Sequence, residues 1–131
     1  MSDDRLRRGS IYLVDLSAGG VDGGPAEPER GRKRPVLVVQ NDLGNLSSDT
    51  TIVVALSSRV PSRPYPFHVS LPAEILGRSG IIMCEQIWTV GTWRVDPQPL
   101  AECPSHLMDR VDEALRLSLG LFEEAGWGRQ P

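Results

Sequence analysis

Apolar residues along the chain fall into five short runs. These runs lie at residues 10–16, 36–40, 50–58, 67–71 and 80–90. Each is rich in β-branched or aromatic residues and is followed by residues that favour turns, which is typical of β-strands. The second and third runs show too little polar alternation to be half exposed, so we expect them in the centre of a sheet. The fourth alternates and ends at Pro72, which favours an edge strand.

A longer helical period follows Pro104. Its apolar face consists of Leu107, Val111, Ala114, Leu115, Ser118 and Phe122. Ser105 is a suitable N-cap, and Gly126 is the expected end of the helix. Residues 73–76 predict one further helical turn. Because strands and helices do not alternate, the pattern predicts a mainly β fold: a small, strongly bent antiparallel sheet or barrel capped by a C-terminal helix.

Residues 19–33 form a long connection between the first two strands. They combine Gly, Pro and charged residues without apolar periodicity. A structureless connection of this length in a compact domain is usually functional or mobile. This loop leads directly to Arg34.

The length of 131 residues predicts a single domain, 1–131. No apolar run is long enough to cross a bilayer, and the first five residues lack the apolar core of a secretion signal, so we expect a cytoplasmic protein. Cys84 and Cys103 have no CxxC neighbour and are expected to be reduced thiols.

The net charge of −3 argues against a uniformly basic, nucleic-acid-coating surface. Positive charge is nevertheless concentrated where Arg30, Arg32, Lys33 and Arg34 follow one another closely. The pattern is compatible with a local basic patch on an acidic body and equally with solvated basic segments that have no partner.

Arg34 is the strongest candidate for a functional side chain. Pro35 pushes the residue before it into an extended conformation, and residues 36–39 anchor the strand that follows. A guanidinium on a rigid element, always charged and forked to match phosphate oxygens, suits a site that handles phosphodiesters. The alternative is a surface arginine beside a buried strand.

Other common chemistries lack support. His68 and His106 lie in different elements without the spacing of a metal site, so no metal or other cofactor is expected. His68 alone, on an alternating strand, is more typical of a packing or surface histidine than of a catalytic base. Motifs of the nucleophile elbow, the Walker loop and the dinucleotide fold are missing from the sequence.

The remaining polar residues fit metal-free RNA cleavage. RNA supplies its own nucleophile, the 2′-OH, so a protein needs only to move protons and stabilise charge. Arg34 is assigned charge stabilisation and is a candidate acid, and Ser57 is assigned a hydrogen bond to a phosphate oxygen. Simple strand termination also explains Ser57. Glu85, beside Gln86 in the last strand, is either a proton carrier or an ion-pair partner of Arg34.

Trp88 and Trp93 bracket the turn after the last strand. An aromatic face there is suited to stacking on an extruded base. Core packing is the more usual role of large aromatic side chains, and we expect it for at least one of the two.

The chain resembles the MazF/PemK family of toxin endoribonucleases over nearly its whole length. Four blocks carry the resemblance, in order: RGSIYLVDL at residues 8–16, KRPVLVVQND at 33–42, EQI at 85–87 and MDRVDEAL at 108–115. The second is similar to the family's RPVLV hallmark. The resemblance implies a homodimer of SH3-like barrels that cuts single-stranded RNA without metal, leaving a 2′,3′-cyclic phosphate and a 5′-hydroxyl.

The resemblance also assigns individual residues. Arg34 matches the family's catalytic arginine, and Ser57 stands where a catalytic threonine is frequent. Glu85 matches an acidic position that some members use in proton transfer, and Glu29 corresponds to a functional loop glutamate in one alignment. RNA contacts are expected from Arg30, Arg32, Lys33, Gln86 and Trp88, the last in place of a basic residue common in the family.

Family membership further implies a cognate, MazE-like antitoxin. Its acidic segment would lie in the RNA groove against Arg30, Arg32, Lys33 and Arg34. Three departures from the family pattern keep the cleavage sequence from being transferred. They are the longer loop at residues 19–33, Trp88 in place of a basic residue, and the longer tail after Leu121.

Two other functions remain open from sequence. One is a non-nuclease inhibitor on the same fold, like the CcdB-like gyrase poisons. Trp127 and Gly128 are faintly similar to the C-terminal tail that those proteins use. The other is a non-catalytic RNA-binding barrel. Cleavage of long RNA in the presence of a chelator distinguishes the nuclease from both.

Overall fold

The computed structural model describes residues 5–15, 33–59 and 65–121. In chain order these comprise β1 (Ser10–Asp15), β2 (Lys33–Val38), α1 (Asp42–Ser47), β3 (Thr50–Ser57), β4 (His68–Leu71), α2 (Ala73–Leu76), β5 (Gly80–Gly91), a short 3-10 turn (Thr92–Arg94), β6 (Ala101–Glu102) and α3 (Ser105–Leu119). The predicted residues Glu29, Arg30, Arg32, Trp127 and Gly128 lie outside the described ranges.

The described strands form one antiparallel sheet in the order β4-β5-β3-β2-β1-β6. The predicted central position of the second and third strands and the edge position of β4 are therefore confirmed. β2 begins earlier than predicted, so Lys33 and Arg34 are part of the strand itself.

A bulge interrupts the pairing of β3 with β5. Val54 lies opposite Ile87, whereas the next residue, Ala55, lies opposite Met83. The three intervening residues of β5 include Glu85 and Gln86, which the sequence pattern alone would have placed in a regular buried strand. A bulge of this kind bends the strand and re-aims its side chains. It explains how two polar residues fit within an otherwise apolar strand.

Apolar side chains pack on both faces of the sheet. The helix-side cluster includes Leu37, Val54, Ile82 and Leu107, and it joins the sheet to α3. The opposite-face cluster consists of Leu6, Tyr12, Val14, Val36, Val38, Val53, Val90 and Val95, with Trp88 packed against it. Because β2 and β3 are covered on both faces, their sequences read as nearly continuous apolar runs.

Helix α3 covers one face of the sheet with the predicted stripe. Leu107, Met108, Val111 and Ala114 are buried at helical spacing. The two predicted ends are wrong. The N-cap position belongs to Pro104, and the helix stops at Leu119 because Gly120 takes a left-handed conformation with φ 74° and donates its N–H to the last carbonyls.

Helix α1 was not predicted, since Asn41, Gly44 and Asn45 all favour turns. The side chain of Asn41 accepts the N–H of Gly44 at 2.7 Å and caps the helix. Asn45 is buried, and its Oδ1 accepts from Thr51 Oγ1 at 2.7 Å and from Gln40 Nε2 at 2.9 Å. These contacts join the helix to the residues just before and after it in the same chain and stabilise it. A local sequence pattern does not reveal them.

Arg8 connects three parts of the fold. Its backbone N–H donates to Asp42 Oδ1 at 2.8 Å, its Nε donates to the carbonyl of Val39 at 2.8 Å, and its Nη2 lies 2.6 Å from Asp112 Oδ1. The start of the described chain is thereby fixed to both α1 and α3.

Candidate active site

Arg34 and Ser57 lie near the same end of the central strands β2 and β3. Arg34 pairs with Val14 of β1, and Ser57, the last residue of β3, pairs with Ile81 of β5. The recorded register of β2 and β3 runs from Val38 opposite Val53 to Val36 opposite Ala55. Continued for two residues, it brings Arg34 opposite Ser57. The two strongest sequence candidates therefore lie on adjacent strands of a paired sheet.

Strand alternation places both side chains on one face. Val36 and Val38 belong to the opposite-face cluster, and Arg34 is two residues before Val36 on the same strand. Val53 belongs to that cluster too, and Ser57 follows it at an even spacing on β3. Residues at even spacing share a face. The guanidinium and the hydroxyl thus extend an apolar face whose strands are otherwise buried.

The Ser57 hydroxyl is positioned by the turn that follows. Its Oγ accepts the backbone N–H of Arg59 at 3.0 Å and lies 3.4 Å from the Arg59 carbonyl. The second distance is long for an O–H donor, so this bond is weak. The hydroxyl can redirect its proton to a phosphate oxygen while still accepting the N–H of Arg59.

Gly80 brings β5 close to the end of β3. A Cβ at this position would lie 2.7 Å from the carbonyl oxygen of Ser57. Such a contact is too short for any residue with a side chain, so glycine permits the close approach. The backbone that carries Ser57 is consequently held against β5.

Arg78 is a cation that sequence reasoning missed. It lines a small cleft beside Ser57, together with Pro35, Leu56, Ser58, Leu71, Leu76, Ser79 and Gly80. Arg78 is an exposed residue in the connection between α2 and β5. Only the sheet topology brings it near Ser57, since 21 residues of sequence separate the two. A lone arginine next to glycine in a loop gives no local signal of this placement.

Glu85 is hydrogen-bonded to His68. Glu85 Oε2 lies 3.2 Å from His68 Nε2, and the exposed fractions of the two side chains are 30% and 8%. The other polar atoms of the pair, Glu85 Oε1 and His68 Nδ1, are buried and have no hydrogen-bond partner among the residues that the structure describes. The rings of Tyr65 and Phe67 each meet the imidazole edge-on. The pattern favoured a packing or surface histidine at position 68; the side chain is enclosed and acts as the partner of Glu85.

The remaining predicted contacts differ in exposure. Gln86 is exposed, whereas Trp88 is half-buried against the opposite-face cluster. Lys33 is half exposed, and its Nζ lies 3.6 Å from Asp96 Oδ2. Lys33 and Gln86 are thus open to a ligand, and much of the Trp88 surface is used in packing.

The thiols of the two cysteines are poorly suited to nucleophilic chemistry. Cys84 and Cys103 are free and buried. Burial raises the pKa of Cys84 to about 12, with the nearby carboxylates of Glu85 and Asp112 adding to the effect, and burial raises the pKa of Cys103 to about 11. Neither carries an appreciable thiolate fraction at neutral pH, so neither is suited to act as a nucleophile.

Among the described residues, no group of three or more His, Cys, Asp or Glu side chains is placed to hold a metal ion. No helix in this part of the chain combines the length and apolar character needed to span a membrane. The described side chains offer the site a guanidinium, a hydroxyl and a carboxylate paired with an imidazole.

Known proteins are similar to this chain in sequence and in fold. The Bacillus subtilis (strain 168) protein Endoribonuclease EndoA is 39% identical over 120 residues, which cover 90% of this chain and 97% of EndoA. An endoribonuclease in complex with its cognate antitoxin from a mycobacterial species has a similar fold, with a TM-score of 0.72, 24% identity and coverage of 91% of this chain and 99% of that one. A MazE-MazF (Form-II) structure from Deinococcus radiodurans matches with a TM-score of 0.68, 25% identity and coverage of 90% and 98%.

These similarities confirm the predicted mainly β fold with helices and the predicted family. A family model described as the PemK-like, MazF-like toxin of type II toxin-antitoxin systems matches residues 7–119, most of the chain. With a family match of this extent and a relative as similar as EndoA, the chain belongs to the PemK-like, MazF-like toxins of type II toxin-antitoxin systems.

Proposed function

We propose that this toxin is an endoribonuclease that cleaves single-stranded RNA without a metal ion. The 2′-oxygen of the nucleotide before the cut forms a bond to the adjacent phosphorus, and the bond from phosphorus to the 5′-oxygen breaks. The 2′-OH loses a proton and the departing 5′-oxygen gains one. The products are a 2′,3′-cyclic phosphate and a 5′-hydroxyl.

The observation that carries this proposal is that Arg34, near the start of β2, and Ser57, at the end of β3, lie on adjacent strands, and that they fall opposite each other when the pairing of Val36 with Ala55 is continued for two residues. In the pentacoordinate transition state, negative charge develops on the non-bridging oxygens. A guanidinium donates in a fork that fits two such oxygens, and donors held on a rigid sheet need no reorganisation at the moment of reaction. Ser57 supplies one further donor. EndoA, named an endoribonuclease, is the relative that supports the reaction class.

Arg78 adds to the positive charge at this end of the sheet. It lines the cleft that also contains Ser57. A second cation near the phosphate helps to hold the RNA strand in register, because phosphate contacts position a nucleic acid without reading its sequence. Lys33 and Gln86 complete the proposed RNA contacts, with Trp88 contributing through its exposed part.

The proton steps are assigned to Glu85. Its Oε2 is hydrogen-bonded to His68 Nε2, so the imidazole orients the carboxylate. Glu85 does not lie in the same row of the sheet as Arg34 and Ser57: the β5 residue opposite Ser57 is Ile81, four positions earlier. The proposed proton carrier is therefore offset along β5 from the two groups assigned to the phosphate.

We further propose the partners that such a toxin requires. The MazE-MazF structure from Deinococcus radiodurans supports a cognate MazE-like antitoxin. Its acidic segment is proposed to bind the basic stretch of sequence that contains Arg30 and Arg32. Charge reversal at Arg30 and Arg32 tests that contact by measuring antitoxin affinity. A homodimer is proposed as the active form, with residues 1–131 as one functional domain acting on RNA in the cytoplasm.

The test is cleavage of long RNA by the purified full-length chain in buffer with a chelator. Ends are mapped by ligation that distinguishes a 5′-hydroxyl from a 5′-phosphate. We expect discrete cuts with 5′-hydroxyl ends, and Arg34→Ala should reduce the rate by about 10²- to 10³-fold, the usual effect of removing a transition-state donor. Arg110→Ala, an exposed arginine on α3, is the matched control and should cut normally.

Two results would overturn the proposal. Intact RNA after incubation with the wild-type chain would support an inhibitor or a non-catalytic RNA-binding protein. Equal rates for the wild type and Arg34→Ala would remove Arg34 from the chemistry and leave the reaction to a different part of the molecule.

A further inference from the structure

Trp93 is an exposed aromatic side chain held in a fixed position. Trp93 is 72% exposed. Nevertheless, a Cβ at Gly91 would lie only 2.2 Å from the Trp93 ring, so the indole lies directly against the backbone of Gly91. The absence of a side chain at Gly91 leaves room for the ring in this position, and a larger residue would displace it. One side of the indole is supported by backbone, and the rest faces solvent.

The segment that carries Trp93 is anchored to the sheet. Val95 is buried in the opposite-face cluster and forms a bridge with Val14 of β1. The N–H of Asp96 donates to the carbonyl of Leu13 at 2.8 Å, and the N–H of Val95 donates to Thr92. An aromatic ring on an anchored segment loses little conformational entropy when it binds a ligand.

An open cleft of about 530 Å³ lies next to this ring. Its lining includes Asp15, Lys33, Arg94 and Asp96. Lys33 and Asp96 form a long ion pair in which both side chains remain partly exposed. Pairs of this kind contribute little to stability, so Lys33 can exchange its carboxylate partner for a phosphate at small cost.

The cleft adjoins the proposed reaction centre. Lys33 lines the cleft, and the next residue of β2 is Arg34, whose Cα lies about 3.8 Å further along the chain. Successive side chains of a strand point to opposite faces, so Lys33 and Arg34 project to the two sides of the start of β2. An RNA strand whose scissile phosphate meets Arg34 reaches this cleft by turning around that strand end, with a nucleotide flanking the cut. The flat exposed ring matches the face of an unpaired base, and the neighbouring cations match its phosphate.

The carboxylates argue for a nucleotide over an acidic peptide. Asp15 and Asp96 both line the cleft, and like charges juxtaposed across an interface are costly. A nucleotide avoids this cost because its negative charge is on the phosphate, at one end. At the other end, amino groups on a base can donate hydrogen bonds to the carboxylates. The mixed lining is thus better suited to RNA than to an acidic antitoxin segment.

We propose that the Trp93 cleft is a nucleobase subsite, where the indole stacks on the base of an unpaired nucleotide flanking the cleavage site and Lys33 binds its phosphate. This inference rests on the proposed function, since it takes RNA as the ligand. It goes beyond that function by assigning a binding role to Trp93, which neither the family pattern nor the comparisons single out.

The test combines an RNA change with a protein change. The probe is a short RNA that contains a mapped cut site, made uncleavable by a 2′-deoxy substitution there, with an abasic residue introduced at each flanking position in turn. For the wild-type chain, we expect one flanking position at which loss of the base weakens binding about 5- to 150-fold. Trp93→Ala should weaken binding of the intact RNA by a similar factor and should make that position insensitive to base removal.

Two variants separate stacking from structure. Trp93→Phe retains a smaller aromatic face and should recover part of the affinity. Leu43→Ala removes another exposed hydrophobic side chain, 75% exposed on α1, and should leave RNA binding unchanged. Cleavage kinetics should show the Trp93→Ala effect mainly in KM, because the ring contacts a flanking base and not the reacting atoms.

The outcomes distinguish this inference from the proposed function. If the wild type cuts RNA and Arg34→Ala does not, but base removal and Trp93→Ala act independently at every position, the subsite is wrong and the nuclease stands. If Trp93→Ala instead lowers the mass of the protein in solution without affecting the abasic series, the ring belongs to a contact between copies and the subsite is again wrong. If the wild type neither cuts nor binds RNA, the proposed function itself fails.

Discussion

The imidazole of His68 is enclosed in the protein with Nε2 only 3.2 Å from Oε2 of Glu85. Glu85 lies in the bulge of β5, and His68 begins β4, the edge strand paired with it. The bond therefore ties the bulge to the neighbouring strand. Whether Glu85 also carries a proton in the reaction is a separate question, and suitable substitutions divide the two roles.

Glu85→Gln preserves size and a hydrogen-bond acceptor for His68 but cannot hold a transferable proton. If Glu85 takes part in proton transfer, kcat should fall about 10²- to 10⁴-fold while the free energy of unfolding changes little. RNA cleavage rates and urea unfolding of the same preparation measure the two effects. A variant that cleaves at the wild-type rate would restrict Glu85 to a structural role.

His68→Ala should destabilise the fold by about 1–3 kcal/mol, the usual cost of leaving a buried polar group without its partner. Glu85 would lose its recorded hydrogen bond, and the two aromatic rings beside it would lose a packing surface. Urea denaturation checks this value. His106→Ala, at an exposed histidine on α3, is the control and should unfold like the wild type. Equal stability for both variants would contradict the structural importance of the pair.

Ser57→Ala should lower kcat by about 10²-fold or more, because one donor to the transition state is lost. Ser57→Thr should retain activity, since it keeps the hydroxyl and its added methyl restricts χ1. Cleavage of one RNA under single-turnover conditions compares the variants. Ser58→Ala removes the exposed hydroxyl next along the chain and serves as the control. If Ser57→Ala and Ser58→Ala behave alike, Ser57 only terminates the strand.

Both cysteines should resist alkylation in the native protein. Because burial raises the pKa of Cys84 to about 12 and that of Cys103 to about 11, the thiolate is scarce at pH 8. Iodoacetamide followed by mass spectrometry should find no label under native conditions and two labels in urea. Rapid native labelling of either residue would show that its side chain is accessible after all.

Asp42 should make stability depend on acid pH. The backbone N–H of Arg8 is the main cause that lowers the pKa of this carboxyl below its usual 3.8, helped by Asn45 and the charges of Arg5 and Arg7 and opposed by burial. A lowered pKa in the folded state means that the carboxylate stabilises the fold above about pH 3.8, and that this contribution is lost as the pH falls through the folded pKa.

Asp42→Asn tests this dependence, since Asn keeps an acceptor for Arg8 but carries no charge. The stability difference between the wild type and the variant should be small, because the site is exposed, and should shrink between pH 5 and pH 2, which brackets the titration. Chemical denaturation across that range measures it. A difference that grows on acidification would reverse the assigned sign.

Sequence reasoning was most successful where local chemistry determines structure. Runs of β-branched residues predicted the strands, and Pro35 identified Arg34 as an extended residue at the start of one of them. The central position of the strands that carry Arg34 and Ser57 also followed, because both runs are too apolar to lie at an edge; that the two strands are neighbours is shown by the structure alone.

The features that sequence missed depend on contacts between distant segments. Helix α1 requires Asn45 to bond with Thr51, and the bulge requires a register shift that no single strand reveals. His68 and Arg78 could not be placed beside Glu85 and Ser57, since the topology of the sheet and not sequence spacing brings them together. The sequence named both Trp88 and Trp93 as candidates for base stacking but could not separate them; the structure does, since Trp93 is exposed and Trp88 is half-buried.

The three contacts of Arg8 also bear on how the protein can be shortened for laboratory use. A version that starts at Gly9 would leave Asp42, the carbonyl of Val39 and Asp112 without the arginine they share. Removing residues 1–8 would therefore weaken the attachment of α3, although this helix lies near the C-terminal end of the described residues. Affinity tags and protease sites are best placed before Arg8 in the sequence, where their removal leaves its three contacts intact.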